Sequence, residues 1–384
     1  MKILIALIIA TNLLLISGCS WFGGDDEDET FQPAPLPEIT KQFSVSPQWS
    51  AQIGDGVGEF YNKLAPAVYK GKVYAADSKG LVKALDISNG KEVWHTNVGS
   101  ELFGGVAAAS GLIALGSTEA EVIVLDADSG LEKWRNLVSS EIVAAPVISD
   151  GKVLSRTIDG KLFAMDETTG ERVWLYDRSV PSLTLRGTSS ISVGRGAAVT
   201  GFANGKIALF LIETGQAVWE KRVATATGRS ELDRVVDADA TPIIIGDTVY
   251  AVTFKGNISA FNISDGAVLW QRELSSYQNM SVSGQLISVT DARSNVKVLD
   301  RRTGGTLWTQ NALVDRRLTA TVSFGDYLVA GDYEGYLHWF DRSDGRLVSR
   351  NSLSGGGIVA DPVVVGDNLY IYSRNGRLYS FKAP

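Results

Sequence analysis

Residues 84–94 read Ala-Leu-Asp-Ile-Ser-Asn-Gly-Lys-Glu-Val-Trp, and the pattern of this stretch decides the fold. It consists of two apolar residues, a polar turn that ends in glycine, and a tryptophan. It returns with a period of about 40 residues, a length used by β-propellers and by solenoids of paired helices. Six copies end in tryptophan, at Trp94, Trp134, Trp174, Trp219, Trp270 and Trp308. A seventh copy carries Ser349 in that position.

Each repeat predicts four short strands. In the first repeat, residues 65–68, 72–76, 81–85 and 91–94 are separated by turns, and glycine recurs in these turns. Short strands bounded by such turns are typical of antiparallel hairpins. After residue 18 no stretch has apolar residues three and four apart over a helical length, which excludes paired-helix solenoids. A repeat of four antiparallel strands is the blade of a β-propeller.

The turn between the second and third strands contains glycine in many repeats, for example in Asp159-Gly160 and Asn204-Gly205. Asn and Asp before Gly suit type I′ turns, in which both central residues need positive φ. We therefore expect type I′ turns at this place in the blade.

The two ends of the chain supply an eighth blade. Residues 368–372 and 377–381 are predicted second and third strands with no tryptophan strand after them. Near the N-terminus, Gln48-Trp49-Ser50 is a tryptophan strand with nothing before it. Joined together, these strands close the ring and remove the open sheet edge that a linear array would leave. The predicted fold is all-β, an eight-bladed propeller of four-stranded antiparallel blades closed by the N- and C-terminal strands.

The composition is typical of a globular chain that is rich in turns, and the charge argues against one class of partner. Of the 384 residues, 45% are hydrophobic and 40 are glycine. The formal net charge of -7 argues against nucleic-acid binding, which needs a basic face for phosphate contacts. A single cysteine allows no intramolecular disulfide. The cysteine count is therefore compatible with either an oxidising or a reducing compartment.

The N-terminus has the pattern of a secretory signal. Residues 1–18 contain a lysine followed by apolar runs too short to span a bilayer, which predicts a signal peptide. The run ends in Leu15-Ile16-Ser17-Gly18-Cys19, which resembles the bacterial lipobox. This resemblance implies that Cys19 is lipidated and becomes the new N-terminus. Because Ser20 stands where inner-membrane lipoproteins usually carry aspartate, it also implies the outer membrane, facing the periplasm.

Residues 19–44 are predicted to form a lipidated, acidic, flexible tether. Five consecutive acidic residues at 25–29 repel one another, and three prolines follow. The propeller is expected to occupy residues 45–384.

The tryptophan repeat resembles the repeats of pyrroloquinoline-quinone (PQQ) dehydrogenases. We expect each indole to be a structural wedge between blades. The chain has no second cysteine, and its only histidines, His95 and His338, lie in strand contexts that favour surface or packing roles. No Ser/His/Asp, zinc or phosphate-loop spacing is present. The residues therefore predict no catalytic site, no metal site and no cofactor.

The lipobox, the acidic tether and the propeller repeat together resemble the BamB family, the lipoprotein subunits of the outer-membrane β-barrel assembly (BAM) machinery. The resemblance covers the whole chain. It implies a subunit without enzymatic activity that binds the periplasmic POTRA domains of BamA. It also implies assistance to the folding of outer-membrane proteins, whose unfolded strands are a further partner class.

Two segments are not explained by the repeat. Trp94, Trp134 and Trp174 are 40 positions apart, whereas the next two intervals are 45 and 51. The excess falls in residues 176–188 and 224–240. Both segments connect the outer strand of one blade to the inner strand of the next, and in a propeller all such connections lie on one face. Two neighbouring insertions on one face predict a binding site.

The family resemblance implies the site residues, which are Leu183, Leu185, Arg186, Asp237 and Asp239. Leucines beside an arginine in a loop have the composition of an interface anchor. Two alternatives stay open: the leucines could fold back onto the blades, and the aspartates could cap turns or pair with Arg186 or Arg234.

The sequence therefore favours a lipid-anchored scaffold that holds BamA. The alternative is a PQQ-dependent or other small-ligand propeller enzyme. A third interpretation, a lipoprotein that binds cell-wall or carbohydrate ligands, is also compatible with the composition.

Overall fold

In the computed structural model, residues 33–58, 63–177, 189–225 and 236–384 are described. They form 32 strands in eight antiparallel four-stranded sheets, each of which is one blade. The eight-bladed propeller predicted from the sequence is confirmed. No helix in the described part of the chain is long and apolar enough to cross a membrane.

The strands fall into four positions, from the centre of the ring to its rim. The innermost strands of blades 1 to 8 are β2 (Ala67–Tyr69), β6 (Ala107–Ala109), β10 (Val147–Ser149), β14 (Ser192–Gly194), β18 (Ile243–Ile245), β22 (Met280–Ser283), β26 (Val322–Phe324) and β30 (Val363–Val365). The second strands are β3 (Lys72–Ala76), β7 (Leu112–Gly116), β11 (Lys152–Arg156), β15 (Ala197–Phe202), β19 (Thr248–Val252), β23 (Leu286–Thr290), β27 (Tyr327–Gly331) and β31 (Asn368–Tyr372). The third strands are β4 (Leu81–Asp86), β8 (Glu121–Asp126), β12 (Leu162–Asp166), β16 (Lys206–Leu211), β20 (Asn257–Asn262), β24 (Val296–Asp300), β28 (Tyr336–Asp341) and β32 (Arg377–Lys382). The outermost strands are β5 (Glu92–Asn97), β9 (Glu132–Leu137), β13 (Arg172–Tyr176), β17 (Ala217–Arg222), β21 (Val268–Glu273), β25 (Thr306–Gln310), β29 (Leu347–Ser352) and, in blade 8, β1 (Trp49–Gln52).

The ring is closed by the two ends of the chain. Blade 8 has the strand order β1-β32-β31-β30, and Trp49 pairs with Ser380 across the joint. In six of the eight joints, all except those between blades 5 and 6 and between blades 8 and 1, the innermost strands of neighbouring blades pack side by side around the centre. The second and third strands are buried on both faces, as in β7, where all five residues are buried, because each blade is covered by a blade on either side.

The prediction of type I′ turns between the second and third strands was wrong. In the turns between second and third strands, only one residue has positive φ, for example Gly160 at 88° and Gly205 at 70°. In blades 1 to 4 the two-residue turn between the first and second strands has positive φ at both residues, as in Lys70 (44°) and Gly71 (74°). In blades 5 to 8 only the glycine that begins this turn has positive φ, as in Gly246 (58°), which is the pattern of a type II′ turn. The type I′ hairpins therefore lie one turn earlier in the blade, in blades 1 to 4, where a two-residue loop favours type I′ or II′ geometry.

Tryptophan joins one blade to the next at seven of the eight joints. The indole Nε1 of Trp94 donates a hydrogen bond to the carbonyl of Ala127 in the following blade, at 3.1 Å. The same bond, at 2.7 to 3.1 Å, is made by Trp49, Trp134, Trp174, Trp219, Trp270 and Trp308. These seven contacts agree with the expected wedge between blades.

A glycine lies under each of these indoles. A Cβ added to Gly170 would stand 2.7 Å from the ring of Trp134, and Gly170 also has a φ of +74°. The glycine before the outer strand is thus required twice, by backbone conformation and by the close approach of the indole.

Gly170→Ala should destabilise the protein more than Gly151→Ala. Both glycines lie in blade 3 with φ near +74°, but a Cβ on Gly151 meets no heavy atom within 4 Å. The φ strain of about 1 kcal/mol is common to both variants, and the clash with Trp134 adds about 1–3 kcal/mol for Gly170→Ala alone. Urea unfolding of the two variants measures the difference. Equal midpoints would show that the indole contact does not constrain this turn.

The joint between blades 7 and 8 has no such tryptophan, because Ser349 stands in its place. Residues 33–48, here called the N-terminal strap, lie along blade 7 instead. The Gln42 amide donates to the Val348 carbonyl at 2.9 Å, and the Ser349 hydroxyl donates to the Phe43 carbonyl at 2.8 Å. The Arg350 guanidinium donates to the carbonyl of Pro37 at 3.0 Å. The strap therefore covers an outer strand that would otherwise be an open edge.

Apolar side chains of the strap also pack against blade 7. The Phe43 ring lies 4.8 Å from the ring of Tyr327 and 5.6 Å from that of Trp339, which is fully buried. Val45 packs in the same cluster. Of the expected tether, residues 33–44 thus lie on blade 7, while Cys19 and the acidic run lie outside the described residues.

Phe43→Ala should lower the free energy of unfolding by about 2 kcal/mol, since it removes a half-buried ring from this cluster. Ser44→Ala, at the exposed neighbouring position, is the matched control and should change stability little. Thermal unfolding of both variants checks the difference. A Phe43→Ala protein as stable as the control would mean that the strap does not contribute to the joint.

Candidate functional site

The connections from an outermost strand to the next innermost strand lie on one face of the ring, here called the loop face. Two of the longest are residues 177–191 and 223–242, between blades 3 and 4 and between blades 4 and 5. Of these, 177, 189–191, 223–225 and 236–242 are described. The predicted anchors Leu183, Leu185 and Arg186 lie outside the described residues, as does Cys19.

The first connection ends against β15. The Gly201 amide donates to the Ser189 hydroxyl at 3.2 Å, and the Thr200 hydroxyl lies 3.4 Å from the Ser190 carbonyl, to which it donates. Ser189 is fully buried. The last residues of this connection are therefore fixed by the end of the second strand of blade 4.

The second connection ends against the same strand. The Ala238 amide donates to the Phe202 carbonyl at 3.3 Å, and the Phe254 amide donates to the Asp237 carbonyl at 2.9 Å. A Cβ on Gly201 would stand 2.1 Å from the Ala238 carbonyl oxygen, so this close approach requires glycine. The segment 236–240 therefore lies between blades 4 and 5, with its backbone bonded to both.

A buried arginine lies beside both ends. Arg156, the last residue of β11, is 4% exposed, and its Nη1 donates to the Ser189 carbonyl at 3.3 Å. Its guanidinium carbon stands 5.2 Å from the centre of the Phe202 ring, a cation–π distance. Burial lowers the pKa of Arg156 to about 10, and the charges of Asp239 and Asp237 oppose this shift. Sequence reasoning did not identify Arg156.

The two predicted aspartates are less accessible than a surface contact would be. Asp237 is fully buried, and Asp239 is partly buried. Burial, and then repulsion by Asp237, raises the pKa of Asp239 to about 7, while Arg156 and Lys63 act in the opposite direction. The two aspartates and Arg156 thus form one buried charge cluster, as expected when charges are removed from water. Pairing of the aspartates with Arg186 or Arg234 lies outside the described residues.

Polar side chains cross the centre of the loop face. The Lys63 ammonium donates to Gln278 Oε1 at 2.8 Å, which joins the connection between blades 8 and 1 to the connection between blades 5 and 6. Asn279 Nδ2 donates to Asp361 Oδ2 at 2.7 Å, and the Ala320 amide donates to Asp361 Oδ1 at 3.0 Å. These residues precede innermost strands without a recurring pattern, so the sequence offered no signal for them.

The histidines have different surroundings. His95 is 62% exposed and contacts Glu92 at 2.6 Å. His338 is fully buried, and its Nε2 lies 3.0 Å from Asp332 Oδ2, which also accepts a hydrogen bond from Arg316. Burial lowers the pKa of His338, and Asp332 opposes that shift. Within the described ranges, no three His, Cys, Asp or Glu residues are grouped so that they could hold a metal ion.

Comparison with known proteins identifies the family. The family profile described as "Outer membrane protein assembly factor BamB" matches residues 45–106, 78–310 and 292–383. The chain belongs to the BamB family. It is 39% identical to BamB of Escherichia coli (strain K12), with 96% of both chains covered. It is 47% identical to BamB of Kangiella koreensis, with 92% of this chain and 91% of the relative covered.

Solved structures agree with this assignment. The crystal structure of BamB from Moraxella catarrhalis superposes with a TM-score of 0.82 at 26% identity, covering 88% of this chain and 100% of that chain. A europium-containing methanol dehydrogenase superposes with a TM-score of 0.73 at 15% identity, covering 90% and 96% of the two chains. At that identity the likeness to the dehydrogenase shows the propeller fold alone.

Asp239→Asn should stabilise the protein more at pH 8 than at pH 5. With a pKa of about 7 when folded and 3.8 as the reference value, Asp239 favours the folded state at low pH, and this contribution is lost as the pH rises from about 4 to 7. Asparagine stays neutral at both pH values. The gain in free energy of unfolding of Asp239→Asn over the unaltered protein should therefore be about 2 kcal/mol larger at pH 8 than at pH 5. Urea unfolding of the variant and the unaltered protein at pH 5 and pH 8 measures this difference in the free energy of unfolding.

The control is Asp326→Asn, because the Asp326 side chain is 93% exposed on the opposite face. An advantage of Asp239→Asn that is equal at pH 5 and pH 8 would contradict the raised pKa.

Proposed function

We propose that this chain is a non-enzymatic subunit of the outer-membrane β-barrel assembly machinery that assists the folding and insertion of outer-membrane proteins. Its relatives in Escherichia coli and Yersinia pestis are each named as an outer membrane protein assembly factor, and both are matched over at least 96% of their length. Similarity over nearly the whole length of these relatives supports a shared role.

The partner in this proposal is BamA, bound through its periplasmic POTRA domains. Leu183, Leu185 and Arg186 supply apolar and charged anchors, while Asp237 and Asp239 orient the connections that carry them. The observation that supports this site is the meeting of both long connections at the end of β15. A loop site held at its base by a rigid sheet needs little ordering when a partner binds, which favours affinity.

Attachment to the outer membrane, with the body in the periplasm, is proposed to be through acyl chains on Cys19. Lipid chains provide membrane affinity without a spanning segment, at about 0.8 kcal/mol for each buried methylene. The strap begins on the loop face, where the Ala34 amide donates to the Val314 carbonyl at 3.1 Å. The tether and the proposed BamA site would therefore leave the propeller on the same face.

Leu183→Asp/Arg186→Glu should abolish co-purification with the POTRA domains of BamA, because it removes an apolar anchor and reverses a charge. Co-purification is measured from detergent-solubilised membranes that contain the full-length protein. We expect at least a tenfold loss of bound BamA, with thermal unfolding unchanged within a few degrees.

The control is Leu131→Asp/Arg172→Glu, which makes the same changes at exposed positions near the opposite face. It should retain BamA. Failure of the unaltered protein to retain BamA would overturn the proposal, and equal loss in both variants would overturn the assignment of the face.

A further inference from the structure

The N-terminal strap contacts both faces of blade 7. Leu36 packs against the apolar cluster between blades 6 and 7. Phe43 packs on Trp339 in the cluster between blades 7 and 8. The strap therefore has two halves in different joints of the ring, residues 33–37 in the joint between blades 6 and 7 and residues 42–45 in the joint between blades 7 and 8.

The two halves are held by different chemistry. The second half is held by apolar packing and by hydrogen bonds to uncharged groups of β29. The first half is held by two guanidiniums. Arg316 Nη1 donates to the Ala34 carbonyl at 3.0 Å, and Arg350 Nη2 donates to the Pro37 carbonyl at 3.0 Å. Charged contacts are therefore concentrated on the first half.

One buried network links these two guanidiniums. Arg316 Nε donates to Asp332 Oδ2 at 2.9 Å, and the same oxygen lies 3.0 Å from Nε2 of His338. On the other side of the imidazole, Nδ1 lies 3.4 Å from Nε of Arg350. Arg316, Asp332 and His338 are all buried. The network thus begins at one contact with the strap and ends at the other.

This geometry requires a neutral imidazole. Arginine has only N–H donors, so the contact between Arg350 Nε and His338 Nδ1 needs an unprotonated Nδ1. The carboxylate of Asp332 accepts a hydrogen bond from Nε2, which carries the one proton of the ring. A second proton would remove the acceptor for Arg350 and would add a positive charge between two guanidiniums.

The surroundings of the imidazole disfavour that second proton. Burial lowers the pKa of His338, the positive charges of the two guanidiniums lower it further, and Asp332 opposes the shift. The ionisable groups that face the ring or its partners are Asp332 in the turn between β27 and β28, Arg316 in the connection from blade 6, Arg350 on β29, Tyr336 on β28, and Glu334, which pairs with Arg316.

We infer that the network around His338 is a proton-sensitive clasp that holds the first half of the strap in the joint between blades 6 and 7. With a neutral imidazole, both guanidiniums bind carbonyls of the strap. Protonation of the imidazole repels them and releases residues 33–37, because water then reaches the network and stabilises the charged ring. The second half stays bound, since Phe43 and its neighbours carry no titratable contact of this kind.

Release of the first half lengthens the free chain in front of the propeller. Residues 33–41 span up to about 30 Å when extended. For a chain attached to a membrane upstream of the strap, as proposed above, this increases the distance that the propeller can reach. The consequence for reach rests on the proposed attachment, whereas the clasp does not.

Methyl NMR of the detergent-solubilised full-length protein tests the clasp, with Leu36 reporting on the first half and Val45 on the second. An exposed histidine has a pKa of about 6.5, and the docked state binds the proton less well, so docking weakens as the pH falls below that value. The ratio of released to docked Leu36 should rise up to about tenfold from pH 7.5 to pH 5.5. Val45 should not respond. Exchange saturation transfer measures both ratios.

Two substitutions of the histidine separate charge from shape. His338→Gln cannot take up a proton and should keep Leu36 docked at both pH values. His338→Lys places a permanent charge in the network and should release Leu36 at both. Blade 6 shows that this strand position accepts a lysine, because Lys297 pairs there with Asp291 at 3.4 Å.

The matched control is His95→Gln, because His95 is the only other histidine in the sequence and its side chain is 62% exposed. It should keep the pH response of the unaltered protein. A Leu36 signal that is unchanged between pH 7.5 and pH 5.5 in the unaltered protein would overturn the inference, as would a pH response that persists in folded His338→Gln. Release of Leu36 and Val45 together would also contradict it. If neither His338 variant folds, the difference between Leu36 and Val45 in the unaltered protein still decides the question.

Discussion

The fold depends on the contact between a tryptophan and the turn of the next blade. A four-stranded sheet with two apolar faces is stable only when both faces are covered, and a ring of such sheets provides this without free ends. The indole combines a large apolar area with one N–H donor, which finds a carbonyl across the joint. Glycine under the ring permits the approach. Seven joints use this arrangement, and the eighth uses the strap and Phe43 instead.

A ring held in this way provides a rigid base for its connections. The residues that tie both long connections to the body are buried, since Ser189 and Asp237 are fully enclosed and Arg156 is 4% exposed. Buried charges of opposite sign are weak evidence for stability, because desolvation offsets much of their attraction. The hydrogen bonds of Arg156, Ser189 and Asp237 fix the backbone at the ends of both connections.

The polar contacts at the centre of the loop face have a similar effect on the ring as a whole. Lys63 and Gln278 join connections on different sides of the centre, and Asn279 and Asp361 join the connection between blades 5 and 6 to that between blades 7 and 8. Such bonds restrain the ends of the innermost strands, which are only three or four residues long. The loop face is therefore stiffened both at its centre and at the base of its two long connections.

By itself, the sequence determined the blade, the number of blades and the closure by both chain ends, because strand alternation, glycine turns and tryptophan spacing are local patterns that repeat. It also located the two insertions, since they interrupt the period. Tertiary structure alone decided that Asp237 is buried beside Arg156, that Lys63 reaches Gln278, and that Phe43 packs on Trp339. These contacts join residues tens to hundreds of positions apart, and only the curvature of the closed ring brings them together. The position of the type I′ turns likewise depended on loop length, which strand pairing fixes.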